Sequence, residues 1–362
     1  MTEKDKDPRI KVYFTKQITS ESLLQIFKTL EFELKSKVGV LMNTGEPGGN
    51  NFLKPELVKG LIQSLKGTII EGNSAYGGKR QNLSDHLKSI KNHGFKKIAK
   101  VEVLETDGEI SIPTKKESIH LKEDIVGKSI EKYNSLLCLS HFTGHALSGF
   151  SGCLSNLALN MASTKGKLLI HSAGSSNLDQ TNVFNNLPPN DYFLESMAEA
   201  SQAVIDYFTK KNGLVYINVL NNISVDSDDD SNAAAPCMRD IGILASLDPV
   251  ALERASLDMI FKVDDCGREK LIERIQSRHG DHIIEHAICL GLGSSFYRVI
   301  DIDGYKEKEG TEEKKEGEEE KKEGEEDKKE EEKNEGGEEK KDEEKKEDEK
   351  KEEDKKEEEK VN

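Results

Sequence analysis

The sequence predicts an α/β protein with a mostly parallel sheet and flanking helices, followed by a disordered Lys/Glu-rich tail. Three observations carry that expectation. Short apolar runs of strand length alternate with stretches of helical periodicity through residues 1–305, the pattern of strands joined by crossover helices. Several runs, such as 136–139 and 214–219, are apolar without alternation, as strands buried on both faces are. From 306 to 360 apolar residues stop altogether, and such a segment cannot bury enough surface to offset its ordering entropy. The expected division is therefore an α/β domain over 1–305 and a charged tail over 306–362.

Taken in order, 11–15 and 38–43 read as strands around a helix that starts at Ser20, a plausible N-cap, and runs to about residue 34. Pro55 opens a second helix, because its missing N–H falls where no intrahelical partner exists. Residues 67–71 form a β-branched run, and 82–92 is amphipathic. Residues 100–104 and 109–112 are expected to pair as a hairpin across Asp107-Gly108. Runs 136–139, 168–171 and 214–219 complete the strands, with helices at 154–162, 192–208, 249–261 and 268–278.

The charge is unevenly spread. Residues 306–360 hold 26 Glu, 4 Asp and 18 Lys, a net of −12, whereas 1–305 carry only −4. The tail has many opposite charges at i, i+4 that support transient helix, and its expected roles are solubility and contact with basic proteins. Overall negative charge argues against nucleic acid as a partner. The N-terminus lacks an apolar signal core, and no apolar run approaches membrane-spanning length. Cys138, Cys153, Cys237, Cys266 and Cys289 follow no framework spacing, which fits a reduced, cytoplasmic protein. Cys138, Cys153 and Cys289 read as buried apolar thiols.

Function collects at the carboxyl ends of strands in such sheets. Five predicted strand exits carry chemistry-bearing side chains: 43–50, 73–80, 140–152, 172–174 and 221–230. Asn43, Glu46, Asn73, Lys79 and Arg80 compose a candidate site for a small anionic ligand, carboxylate or phosphate, at the start of the helix after Gly77-Gly78. It lacks P-loop spacing. His141 and His145 are candidate acid–base residues, and with His171 they are candidate nitrogen ligands for zinc, iron or nickel. Asp226, Asp228, Asp229 and Asp230 repel one another, which a hard cation would relieve, but the calcium-loop pattern fails at Ser231 and Cys237. His279, His282 and His286 read as surface or packing residues.

The ordered set NTGEPGGNNFLKPELVKGLI, EGNSAYGGKR, SHFTGHALSGFSGCLSNLALNMAS, LLIHSAG, YINVLNNISVDSDDD and PCMRDIGILASLDPVALERASLDMI, ending in RIQSRHG and GLGSSFY, resembles the family catalogued as domain of unknown function 362. That family is often labelled iron–sulfur-associated, so the resemblance implies a metal- or cluster-binding protein with a redox-linked role. His141, His145, Asp226, Asp228 and Cys237 would be its ligands. The chain departs from the family pattern where a cluster would need thiolates: Ser227 and Asp229 replace cysteines of an Asp-Cys-Asp-Cys segment. Gly72 and Ser256 stand at two other frequent cysteine positions. Thr143 and Ser155 stand where the family usually has lysine, and Ser151 where it has glycine. Two further readings stay open: a metal-independent enzyme or binding protein for a small anion, and a non-catalytic interaction protein with a degenerate site.

Overall fold

The computed structural model describes residues 7–175, 185–211 and 213–304. The predicted disordered tail lies outside the described residues. The elements run β1 (Ile10–Thr15), α1 (Ser20–Thr29), β2 (Val38–Leu41), α2 (Pro55–Ser64), β3 (Thr68–Glu71), α3 (Leu83–Asn92), β4 (Lys100–Val103), β5 (Glu109–Pro113) and β6 (Glu123–Gly127). They continue with β7 (Ser135–His141), β8 (Thr143–His145), β9 (Gly149–Ser151), α4 (Cys153–Ser155, extended by a π turn over Asn156–Asn160), α5 (Thr164–His171) and α6 (Asn190–Thr209). Last come β10 (Leu214–Leu220), β11 (Gly242–Ser246), α7 (Pro249–Lys262), α8 (Arg268–Ser277), α9 (His282–Cys289) and β12 (Tyr297–Asp301).

Eight strands form one sheet in the order β12-β1-β11-β10-β7-β2-β3-β4. Every pairing in it is parallel except the two made by β11. Side chains alternate between the faces, as the pleat requires. Leu214, Tyr216 and Leu220 of β10 enter one core with α4 to α7 and α9, while Val215, Ile217 and Val219 enter a second core with α1 to α3. The continuous apolar runs of β7 and β10 follow from this two-sided burial. No helix among the described residues is long and apolar enough to cross a membrane.

Several local expectations are corrected. The cap of α1 is Thr19, one residue before Ser20, in a capping box closed by Ser22, and the helix stops where Glu31 takes a φ of 51°. The 100–104/109–112 hairpin does not form. β4 extends the main sheet beside β3, and β5 pairs with β6, because Leu104–Asp107 is a 3-10 turn that redirects the chain. Residues 168–171 are the end of α5, not a strand. Ser163 caps that helix by accepting from Gly166 N–H, and a four-residue apolar run cannot by itself distinguish the two states. Cys289 is exposed, not buried, whereas Cys138 and Cys153 are buried. β6, β8, β9, β11, β12 and α9 have no counterpart in the elements expected from the sequence.

Between His141 and His145 the chain passes close to the loop after β10. A Cβ on Gly144 would lie 2.3 Å from Val225 O, against backbone that has nowhere to move. Gly144→Ala should destabilise the fold by about 1–3 kcal/mol, read as a lowered midpoint in thermal unfolding. An unchanged midpoint would show that this approach is not tight.

Candidate functional site

The carboxyl ends of β2 and β3 and the loop after β10 converge on Arg80, whose side chain is only 1% exposed. Its guanidinium donates to Asn43 Oδ1 (2.6 Å), Asp229 Oδ1 (3.0 Å) and Glu71 Oε2 (3.1 Å). Glu71, fully buried at the end of β3, also accepts from Thr44 N–H (3.1 Å) and Thr44 Oγ1 (2.5 Å), and its Oε1 lies 3.1 Å from His86 Nε2. His86 Nδ1 in turn faces Asn73 Oδ1 at 3.0 Å. Burial alone would raise the Glu71 pKa, but Arg80, His86 and Thr44 outweigh it and hold the carboxyl at about 2. Glu46 closes the remaining side, accepting from Lys79 N–H at 2.6 Å. The anion cradle expected at Lys79 and Arg80 is thus filled from within by Glu46, Glu71 and Asp229, so Arg80 is not available to an external anion.

His141 and His145, four residues apart, have opposite surroundings. His141 Nε2 donates to Asn221 O (2.5 Å) while Nδ1 meets the Asp228 carboxylate at 2.9 Å. Two acceptors call for two protons. Burial opposes that charge, yet Asp228 and the Asn221 carbonyl prevail and raise the His141 pKa above its ordinary value. His145 Nδ1 instead accepts two backbone N–H groups, from Leu147 (3.2 Å) and Ser148 (3.0 Å). That nitrogen carries no proton, so the neutral ring bears its hydrogen on Nε2. Burial lowers the His145 pKa; Asp229 opposes and Arg274 assists.

These side chains wall a cleft with Asn43, Thr143, Ser151, Ser155, Asn156, Asn160 and Ser227. It adjoins a more open pocket lined by Glu46, Tyr76, Gly77 and Gly78, and His145, Ser227 and Asp229 border both. Asp229 Oδ1 holds Asn43 and Arg80, and its side chain remains 21% exposed. Ser155 Oγ is buried with no hydrogen-bond partner among the described residues. Sequence reasoning missed Glu71, Thr44, His86, Asn156, Asn160 and the positioning role of Asp229. Glu71 carried a signal, a carboxylate ending an otherwise apolar strand just before a glycine loop. Lys167 was also missed. It is buried with Nζ 2.8 Å from Ala162 O, and burial lowers its pKa.

The candidate metal ligands do not converge as a set. His171 is on α5, not at a strand end. Its Nδ1 donates to Lys167 O (2.7 Å), burial lowers its pKa to about 3, and its ring packs on Tyr76 and Phe193. Cys237 Sγ is directed to Ile223 O. Asp226 accepts from Ala234 N–H and lies 3.5 Å from Arg274. A metal-bound imidazole normally donates its second N–H to an acceptor. His145 presents the reverse arrangement, and both nitrogens of His141 face oxygens. Nor do the thiols fit a cluster. Burial pushes Cys138 up to about 12 and raises Cys153 as well, while Cys266 and Cys289 are exposed and outside the cleft lining.

A largely parallel sheet with helices on both faces and a polar cleft at its strand ends defines an α/β protein. The chain belongs to the family "Domain of unknown function (DUF362)", whose model matches residues 38–258. Among solved structures it is similar to the lactate racemase apoprotein from Thermoanaerobacterium thermosaccharolyticum, with 15% identity, 70% of this chain and 57% of that one covered, and a TM-score of 0.42. It is also similar to a protein from Thermotoga maritima, with 13% identity, 75% and 58% coverage, and a TM-score of 0.37. The chain therefore spans a little over half the length of these two structures. No curated protein matches.

The Glu71–Arg80 pair sets an acid limit on stability. The folded-state pKa of Glu71 is depressed from 4.5 to about 2, so its contribution is present above the unfolded value and lost as pH falls from 4.5 through about 2. Glu71→Gln should destabilise by about 3–5 kcal/mol at neutral pH by leaving Arg80 uncompensated, and should flatten the pH dependence in that window. Chemical denaturation from pH 7 to 2 measures both, and parallel curves for the two proteins would refute the assignment.

Proposed function

We propose that the protein binds a small, uncharged polar molecule in the strand-end cleft without a metal. His145 Nε2–H is its main donor and Asp229 its main acceptor. The observation that carries this reading is the pair of backbone N–H groups on His145 Nδ1. They fix a neutral donor on a wall that also carries amides, hydroxyls and the Asp229 carboxylate. The unsatisfied Ser155 Oγ supports it, because a buried hydroxyl without a partner ordinarily awaits one. An anionic ligand is disfavoured, since Glu46, Glu71, Asp228 and Asp229 lie around Arg80 and His141 and already take up their donors. The iron–sulfur and redox role implied by family association has no matching thiolate set. Five free cysteines fit a reducing cytoplasm. A neutral imidazole donor beside a carboxylate can also polarise a ligand carbonyl, which makes a metal-independent enzyme the natural extension of the same site.

The test is a thermal-shift screen of small polyols, amides and hydroxy-carbonyl compounds, with zinc, nickel, phosphate and carboxylates as comparators. A neutral compound should raise the midpoint. His145→Ala should weaken its binding by roughly tenfold or more, the worth of one desolvated hydrogen bond. Nitrogen NMR should show the His145 ring as the Nε2–H tautomer, still neutral at pH values where an exposed histidine is half protonated. Stabilisation by anions, or by metal with loss in His145→Ala, would overturn the reading.

A further inference from the structure

Away from the cleft, α6, the turn after α8 and the start of α9 bring together histidines and carboxylates that nothing above uses. Among the described residues, one group of three has potential ligand atoms all within 4.8 Å of one another: His279, His282 and Glu285. Its surroundings supply a second, independent observation. His279 Nδ1 lies 2.8 Å from Asp191 Oδ1, and His282 Nε2 lies 3.0 Å from Glu195 Oε1. Each imidazole thus gives one nitrogen to a carboxylate of α6, and the second nitrogen of His282, Nδ1, faces Glu285, the third member of the group, at 3.1 Å. An imidazole oriented by a carboxylate on its far nitrogen is the arrangement that metal-binding histidines use; in the cleft, His145 has no such carboxylate, and His141 has Asp228 but gives its other nitrogen to Asn221 O.

We propose that His279, His282 and Glu285 form a surface site for a divalent transition metal, with Asp191 and Glu195 as the carboxylates that orient the two imidazoles. Two nitrogens and one carboxylate oxygen select zinc, nickel, copper or cobalt over magnesium or calcium. The remaining coordination positions face solvent, because His279 and Glu285 are exposed. The metal would join the α8–α9 turn to α6. Glu195 extends the link to His120, whose Nε2 it meets at 2.5 Å, and Glu199 anchors the same segment through the backbone N–H of Leu121 at 2.7 Å.

The test is titration calorimetry of the full-length chain with zinc chloride and with nickel, in a Cys266→Ser/Cys289→Ser background that removes the exposed thiols. One equivalent should bind, and thermal unfolding should shift upward with metal. His279→Asn is the informative variant. His279 holds a φ of 53°, a conformation that asparagine tolerates, so the variant should fold while losing a ligand. It and Glu285→Gln should each weaken zinc by tenfold or more, and Asp191→Asn by about 10–100-fold through lost orientation. Undiminished zinc binding in His279→Asn/His282→Ala would assign the metal to the tail or the cleft and overturn the proposal. So would equal affinity for magnesium, or no saturable binding at all.

Discussion

A buried guanidinium is the constraint around which the strand ends are arranged. Arg80 cannot lose its charge, so removing it from water demands several charged or polar acceptors at once. The chain supplies them from three separate places: Asn43 after β2, Glu71 at the end of β3, and Asp229 in the loop after β10. Those segments are far apart in sequence, and a common cation fixes their separation. The loop carrying Asp229 is held further by Glu46 N–H donating to Asp228 O at 2.8 Å. The floor of the cleft is therefore set by charge compensation, and the apolar packing on either face of the sheet only brings the strands to it.

The same compensation decides which groups remain free for a ligand. The strongest donor in the region is spent on internal carboxylates. Asp228 is spent on His141, which takes up the second proton that two acceptors require. What is left is His145, the exposed part of Asp229, and hydroxyl and amide side chains. A site of that kind distinguishes ligands by where their hydrogen-bond donors and acceptors lie, and not by net charge.

The sheet was largely legible in the sequence because strands buried on both faces leave uninterrupted apolar runs. The errors arose where identity depends on a partner. Residues 168–171 have the composition of a strand and become helix through the Ser163 cap. The segments flanking Asp107-Gly108 look like a hairpin and join different sheets. At the site, the sequence singles out His141 and His145 and both line the cleft, but their opposite surroundings are set by Asp228 and Asn221 in one case and by two backbone N–H groups in the other. Gly77-Gly78-Lys79-Arg80 reads as an exposed basic turn, and nothing local reveals that Arg80 is buried while Lys79 is not. Likewise the spacing of His282 and His286 was visible. The carboxylates that orient His279 and His282 stand roughly 90 residues earlier, on α6.

The positions at which this chain departs from the resemblance noted in its sequence argue that the cleft is organised for its present residues. Asp229, where a cysteine would be expected, is an ionic partner of Arg80, a role that a neutral thiol could not fill. At Gly72 a Cβ would lie 2.5 Å from Ala162 O and 3.0 Å from Lys167 Nζ, so the space a cysteine would need is taken. Thr143 Oγ1 donates toward Asp226 O at 2.8 Å, and Ser256 Oγ donates to Leu252 O while accepting from Asn218. A site that had merely lost its ligands would show cavities and unmatched polar atoms at these places. Here Asp229, Gly72, Thr143 and Ser256 are absorbed into packing or hydrogen bonding, whereas the buried Oγ of Ser155 borders the cleft without a partner among the described residues. Ser155 falls where a bound molecule could complete its hydrogen bonding, which favours the proposed neutral polar ligand over a vanished cluster.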